Sequence, residues 1–212
     1  MSTDRFEAHD YYLMDELLTE EHKLIRDAAR AWVKKEVSPI IEDCFEKCEF
    51  PKHLLPGLGE IGAFGPYIPV EYGGAGLDQI SYGLLMQELE RCDSGLRSTA
   101  SVQSSLVMYP IWKYGTEEQK KKFLPKLATG EWLGCFGLTE PDHGSNPGGM
   151  VTNFKDMGDH YLLNGSKMWI SNSPISQVAV VWAKDEGGRI HGLLVEAGME
   201  GFTAPEMHGK HS

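Results

Sequence analysis

The spacing of hydrophobic residues changes near residue 131, from the period of a helix to the period of a strand. Before that point, apolar residues recur every three or four positions, which places them on one face of a helix. The first such face is formed by Leu24, Ile25, Ala28, Ala29, Trp32, Val33 and Val37. Thr19 precedes this stripe and is its predicted N-cap. We therefore predict an amphipathic helix that begins directly after Thr19.

Further helix signals follow up to residue 131. The helical spacing continues through residues 84–89 and beyond, with an interruption at Asp93 and Ser94. Thr116 with Gln119 three positions later forms a capping box, and Gly130 is a typical stop. The pattern predicts a first part that contains helices only.

After Trp132 the apolar residues lie in short segments separated by turn residues, which is typical of β-strands. Strands are predicted at 135–139, 151–155, 161–163, 167–170, 178–183 and 190–195. Asn164-Gly165 favours a hairpin between the third and the fourth of these. Helices first and strands afterwards predict an α+β protein. It would have an N-terminal all-helical domain at 1–131 and a β domain at 132–212.

Composition and charge exclude several classes of protein. The chain has 212 residues, four cysteines and a net charge of −11, with 20 basic against 31 acidic residues. An acidic chain without a long basic run does not favour nucleic-acid binding. No apolar run is long enough for membrane insertion. The first fifteen residues resemble neither a signal nor a transit peptide, and the cysteines form no C-x-x-C pair. We expect a cytoplasmic protein with reduced thiols.

Two motif-like patterns lack the context that their chemistry needs. The glycines of Gly57–Gly62 have dinucleotide-loop spacing, but prolines precede them and the segment reads as a short helix and a turn. His208 and His211 are spaced like a pair of metal ligands, but no third ligand lies near them in the sequence. We expect neither a Rossmann nucleotide site nor a metal site.

The segment 136–149 carries more information. It begins as a strand and continues into a loop rich in glycine, proline and small hydroxyl residues. Such a loop allows backbone N–H groups to approach a planar ligand or a phosphate, because glycine has no Cβ in the way. On composition alone, an ordinary turn after a strand explains the pattern equally well.

Residues 136–141, followed by Gly144-Ser145, resemble the flavin signature of the acyl-CoA dehydrogenases, and residues 169–172 resemble the second flavin segment of that family. The helical part matches the family in the same order. The resemblance implies a β-barrel- or sandwich-like middle domain and bound FAD. The implied FAD ligands are Phe136, Gly137, Leu138, Thr139, Gly144, Ser145, Trp169, Ile170 and Ser171. Asn146 stands where the family usually has aspartate.

Residues 88–108 are similar to the acyl-pocket helix of the glutaryl-CoA branch of this family. The resemblance implies that Arg97 binds the distal carboxylate of the substrate, with Ser98 beside it and Glu90 in the same polar network. Ser145 would also contact the acyl-CoA. A carboxylate that enters an apolar pocket needs a permanently charged partner, and arginine supplies one. Without these neighbours, Arg97 would be a typical surface residue at a helix start.

The resemblance implies FAD-dependent α,β-dehydrogenation of an acyl-CoA, with glutaryl-CoA oxidised and decarboxylated to crotonyl-CoA. Electron-transfer flavoprotein would accept the electrons, and the protein would assemble as a homotetramer. The alternatives are a dehydrogenase or oxidase for another acyl chain, and a truncated module that binds FAD or CoA without catalysis. The family's catalytic glutamate belongs to a C-terminal helical domain, which we expect to be absent from this chain. No residue here is predicted to be the base, and we expect the 212 residues alone to be inactive.

Overall fold

The structure, a computed structural model, describes residues 10–209, and helices occupy the first part of that range. The α-helices are α1 Glu20–Trp32, α2 Ile41–Lys47, α3 Leu55–Glu60, α4 Gln79–Glu90, α5 Ser94–Ser101, α6 Tyr109–Tyr114 and α7 Glu117–Ala128. Two π-helical segments lie at Val33–Val37 and Val102–Met108. Short 3₁₀ turns lie at Met14–Leu17, Lys52–Leu54, Val70–Tyr72, Pro147–Gly149 and Ser173–Ile175. The predicted order of helices followed by strands is confirmed.

Side-chain caps fix the helix starts that the sequence predicts. The Thr19 hydroxyl accepts the His22 N–H at 3.2 Å, and Thr116 and Gln119 form the expected reciprocal capping box. Asp93 accepts the Leu96 N–H at 2.6 Å and so begins α5 at the predicted interruption. Each cap satisfies an N–H group that has no partner within its own helix.

The predicted apolar face of α1 is partly wrong. Leu24 is 71% exposed, whereas His22 is buried and Arg30 reaches inward to Glu88. The Arg30 guanidinium donates two hydrogen bonds of 2.9 Å to the Glu88 carboxylate, whose side chain is only 2% exposed. His22 likewise lies 2.8 Å from Asp78 at the start of α4. These polar partners on α4 turn the helix away from the orientation that hydrophobicity alone predicts.

The two π-helical segments are features that the sequence analysis missed. Each is followed two residues later by a proline, Pro39 or Pro110. A proline ring inside a helix clashes with the carbonyl group of the residue four positions earlier. Pro110 lies inside such a helix, because α5, the second π segment and α6 continue as one helical rod, whereas Pro39 lies in the turn after the first π segment.

The strands form one mixed sheet. They are β1 Gly134–Gly137, β2 Asn153–Asp156, β3 Tyr161–Asn164, β4 Val178–Lys184 and β5 Ile190–Glu196. β4 lies in the centre, parallel to β1 and β2 and antiparallel to β5, while β2 and β3 pair antiparallel. Val178, Val180 and Phe136 lie on the sheet face that packs on the helical core. The C-terminal end of β1, at Phe136, therefore faces the helical part.

The predicted hairpin at Asn164-Gly165 is wrong, and no strand forms at 167–170. β3 instead pairs with β2, and residues 157–160 connect them. Gly165 leaves the sheet with φ +149°, and a Cβ there would lie 2.4 Å from Thr152 Oγ1. Trp169 then has φ +61°, which ends any extended run. The glycine allows the chain to pass close to Thr152, and it does not form part of a two-residue turn.

Gln103 joins the helical part to the sheet. Its side chain is fully buried, and its amide nitrogen donates to the carbonyl oxygens of Leu127 at 2.8 Å and Trp132 at 2.9 Å. Its amide oxygen accepts the N–H of Gly134, the first residue of β1, at 2.7 Å. A buried amide with all these partners fixes the segment between α7 and β1.

We expect Gln103→Leu to lower the free energy of unfolding by about 2 kcal/mol, because leucine fills the space but makes none of the three hydrogen bonds. Denaturant unfolding of the wild type and the variant measures this difference. The matched control is Gln87→Leu on the exposed side of α4, which should change stability by less than about 0.5 kcal/mol. Equal stability of wild type and Gln103→Leu would contradict the prediction.

Candidate functional site

A groove of about 190 Å³ lies between the second π segment and the first residues of the two predicted flavin segments. Its lining residues are Val102, Leu106, Phe136, Leu138, Thr139, Trp169, Ile170 and Ser171. The sequence predicted six of these as FAD ligands, from two segments that are thirty residues apart. The groove combines apolar walls with the hydroxyl groups of Thr139 and Ser171, a composition typical of small-molecule sites.

Val102 and Leu106 are groove residues that the sequence analysis did not assign. They follow Ser98 at intervals of four, so the three residues share one face of the helical rod. The rod therefore contributes one wall of the groove and also carries the predicted carboxylate-binding residues. The four-residue spacing from Ser98 is the sequence signal that could have identified them.

Trp169 projects beside the groove in an unusual conformation. Its φ is +61° and the residue is 57% exposed. A left-handed backbone at a residue other than glycine costs on the order of 1–3 kcal/mol and is concentrated at functional sites. The N–H of the preceding Met168 donates to the Thr139 carbonyl at 2.9 Å, which ties this turn to the first flavin segment. An accessible indole is thus held in place against β1.

Asn172 connects the second flavin segment to the helical part. Its side-chain NH₂ donates to the Gly134 carbonyl at 3.2 Å, and its side-chain oxygen lies 3.2 Å from the Thr99 hydroxyl on α5. Its φ of +69° is a conformation that asparagine adopts more readily than most residues. Asn172 was not among the predicted site residues, although it lies within the matched motif.

Glu140, the residue after Thr139, is buried at the end of the first flavin segment. Its carboxylate accepts the N–H groups of Val151 and Thr152 at 2.7 and 3.0 Å and lies 2.8 Å from Lys167 Nζ. Burial alone would raise the pKa of Glu140, but the hydrogen bonds from Lys167 and these backbone groups outweigh it and lower the pKa to about 2. A carboxylate so stabilised is a weak base, so Glu140 is poorly suited to abstract a proton.

Three predicted flavin residues lie outside the groove lining. Gly137 is buried within β1, where a Cβ would lie 3.4 Å from the Lys167 side chain. Gly144 and Ser145 are exposed, and a Cβ at Gly144 would meet no atom within 4 Å. Close packing within the described residues therefore does not explain the glycine at 144.

Arg97 at the start of the same helical rod forms a network with Glu90, the last residue of α4. Arg97 Nε donates to Glu90 Oε2 at 2.5 Å, and the other Glu90 oxygen accepts from Ser94 at 2.6 Å. The hydrogen bonds from Ser94 and Arg97 lower the pKa of Glu90. The Arg97 side chain stays 34% exposed, with a longer contact of 3.4 Å to Ser101. Arg97 and Glu90 thus lie together, and Ser98 is the residue next to Arg97 in α5.

The other sequence motifs have ordinary places in the fold. Residues 55–60 form α3, so the glycine pattern at 57–62 begins inside a helix and not after a strand. Within residues 10–209, no group of three His, Cys, Asp or Glu side chains could hold a metal ion, and His211 lies outside this range. The four cysteines are unpaired. No helix in the described range is long and apolar enough to cross a membrane.

Comparison with known families agrees with the fold. Residues 19–131 match the N-terminal domain of acyl-CoA dehydrogenases, and residues 135–212 match the middle domain. The first match alone covers more than half of the chain. The chain therefore belongs to the acyl-CoA dehydrogenase family.

Individual relatives include glutaryl-CoA dehydrogenases and an acyl-CoA dehydrogenase whose name states no acyl group. A crystal structure of a glutaryl-CoA dehydrogenase from Mycobacterium smegmatis with FADH2 is 45% identical, with a TM-score of 0.92, and covers 95% of this chain and 52% of that one. A probable acyl-CoA dehydrogenase of Bacillus subtilis is 40% identical over 91% of this chain and 52% of the relative. A glutaryl-CoA dehydrogenase of Desulfococcus multivorans is 39% identical over 80% of this chain and 44% of the relative. The chain spans about half the length of the curated relatives that it matches.

Proposed function

We propose that this chain supplies the FAD-binding and acyl-binding parts of an acyl-CoA dehydrogenase. The observation that carries the proposal is the groove, in which Phe136, Leu138 and Thr139 meet Trp169, Ile170 and Ser171. FAD, when bound, would supply the two-electron oxidation of the acyl-CoA. The residues of this chain would hold the ring system, exclude water from it and orient the acyl group beside it.

The chemistry of the groove fits a flavin. An exposed indole offers a face to a planar ring, and the apolar walls suit the hydrophobic edge of such a ring. The Thr139 and Ser171 hydroxyls can bond to its polar edge. The exposed loop with Gly144 and Ser145 lies after β1, where its backbone N–H groups are open to a ligand. In this proposal Gly137 supports the strand behind the groove.

We propose glutaryl-CoA as the substrate, with decarboxylation to crotonyl-CoA. Glu90, which also accepts a hydrogen bond from Ser94, holds Arg97 through its Nε atom, so the guanidinium is oriented before a ligand arrives. Pre-orientation reduces the entropy cost of binding a carboxylate. Ser98 is next to Arg97, and four residues later the same rod contributes Val102 to the groove.

The remaining parts of the proposal rest on the family resemblance. They are electron-transfer flavoprotein as the acceptor, a homotetramer, a cytoplasmic location and contact between Ser145 and the acyl-CoA. The alternative is another acyl-CoA substrate, and it is favoured by relatives of similar identity that bear other acyl-CoA dehydrogenase names.

The test uses protein expressed from its natural reading frame. Purified protein should carry FAD at about one per chain, and anaerobic glutaryl-CoA should bleach the flavin absorbance. A colourless protein that takes up no added FAD would contradict the cofactor proposal. Bleaching by butyryl-CoA but not by glutaryl-CoA would support the alternative substrate.

We expect Trp169→Ala to weaken FAD binding about 10-fold, because the ring loses its aromatic neighbour at the groove. Titration of FAD into apoprotein, followed by flavin fluorescence, measures the dissociation constant. Tyr114→Ala is the matched control, since Tyr114 is 79% exposed and does not line the groove. If both variants bind FAD like the wild type, Trp169 does not contact the flavin.

A further inference from the structure

A buried ion pair lies behind the groove without lining it. Lys167 Nζ is 2.8 Å from Glu140 Oε1, and the two side chains are 10% and 2% exposed. Lys167 also donates to the Leu138 carbonyl oxygen at 3.1 Å. Both residues belong to the segments that form the groove, but neither side chain reaches its surface.

The pair connects three stretches of chain at one point. Lys167 brings the stretch before Trp169 to the end of the first flavin segment, where the Met168 N–H also bonds to Thr139. The Glu140 carboxylate in addition accepts N–H groups of residues 151 and 152, which precede β2. The carboxylate and the ammonium group therefore join the two groove walls, together with the Met168–Thr139 hydrogen bond.

Glu140 also determines where the glycine-rich loop begins. Its N–H donates to the His143 carbonyl at 3.1 Å, and the His143 N–H donates back to Glu140 at 3.2 Å. This reciprocal pair closes a tight turn immediately before Gly144. A displacement of the Glu140 backbone would therefore move the start of the loop as well as the groove wall.

Stability alone is a poor explanation for the pair. Burial of two charges costs desolvation energy, and apolar residues of similar size are often equally stable in their place. A charged pair with several directed hydrogen bonds does fix geometry more tightly than apolar packing does. Its position between the two groove walls is where fixed geometry matters for a bound ring.

We propose that Glu140 and Lys167 are positioning residues of the flavin site, which hold Thr139 and Trp169 at the separation that FAD requires. The inference rests on the proposed function and adds two residues that do not touch the cofactor. A shift of about 1 Å in such supporting groups is enough to impair a site strongly.

The test compares the buried Glu140–Lys167 pair with the partly buried Arg30–Glu88 pair of the same chain. Lys167→Met breaks the pair behind the groove, and Arg30→Met breaks the Arg30–Glu88 pair between α1 and α4. FAD affinity and the absorbance spectrum of bound flavin are measured at a temperature at which circular dichroism shows that all variants are folded. We expect Lys167→Met to weaken FAD binding at least 10-fold and to shift the flavin absorbance band. Arg30→Met should bind FAD within twofold of the wild type with an unchanged spectrum.

Two further variants keep the test decisive. Lys167→Arg retains a cation and should recover most of the affinity. If Lys167→Met fails to fold, Glu140→Gln takes its place in the test, with the same expected loss of FAD affinity and the same spectral shift. The proposal is overturned if the groove variants bind FAD with wild-type affinity and spectrum, or if Arg30→Met loses affinity to the same extent. A wild-type protein that binds no FAD contradicts the proposed function instead, so the two failures are distinguishable.

Discussion

Lowering the pH from 5 to 2 is expected to remove about 3 kcal/mol of folding stability through Glu140 alone. The pKa of this carboxyl is about 2 in the folded protein, against an ordinary value of 4.5. A group whose pKa is lowered by folding stabilises the native state at pH values above its unfolded pKa. That contribution falls as the pH drops below about 4.5, and it is absent below about 2.

Denaturant unfolding at a series of pH values measures the effect, with Glu140→Gln as the comparison. The variant should be less stable than the wild type at pH 6, and the difference should shrink as the pH approaches 2. Asp78, whose pKa is also about 2 through hydrogen bonds from Ser81 and His22, should add a second acid-dependent contribution. That contribution is smaller because Asp78 is half exposed. Parallel pH profiles for wild type and Glu140→Gln would refute the assignment.

The second large effect concerns substrate choice. We expect Arg97→Met to lower kcat/KM for glutaryl-CoA about 1,000-fold, which is about 4 kcal/mol, because the substrate carboxylate would enter the pocket without a cation. Butyryl-CoA has no distal carboxylate and should react within about threefold of the wild-type rate. The Arg97–Glu90 pair is largely exposed, so its loss should change stability little.

Steady-state kinetics with both substrates measures the selectivity, on protein that shows flavin bleaching. Arg189→Met is the matched control, since it also removes one arginine but lies in the turn between β4 and β5. An equal loss of activity with both substrates would mean that Arg97 supports the helix rather than the carboxylate. Unchanged activity with glutaryl-CoA would remove the basis for the glutaryl proposal.

The sequence predicts this fold well where local rules decide the outcome. Caps at Thr19, Asp93 and Thr116 depend on hydrogen bonds within four residues, and all three lie at the starts of helices. The parallel pairing of β1 with β4 depends on contacts across forty residues, and no local pattern reports it. The hairpin prediction failed for the same reason, since the fit of Gly165 against Thr152 is a tertiary contact.

The residues of the candidate site also fall into those that the sequence predicts and those that it does not. Motifs indicated Thr139 and Trp169, and both line the groove. They gave no reason to single out Lys167 and Asn172, because these residues act through partners far away in the chain. A polar side chain that is buried by tertiary structure resembles an ordinary surface residue in the sequence.

The buried amide of Gln103 has a consequence for how the chain unfolds. It bonds at once to the end of α7, to the connecting segment and to the first residue of β1. Separation of the helical part from the sheet would expose this amide and break all three bonds together. The helices and the sheet are therefore coupled into one cooperative unit, and local opening at their junction is suppressed.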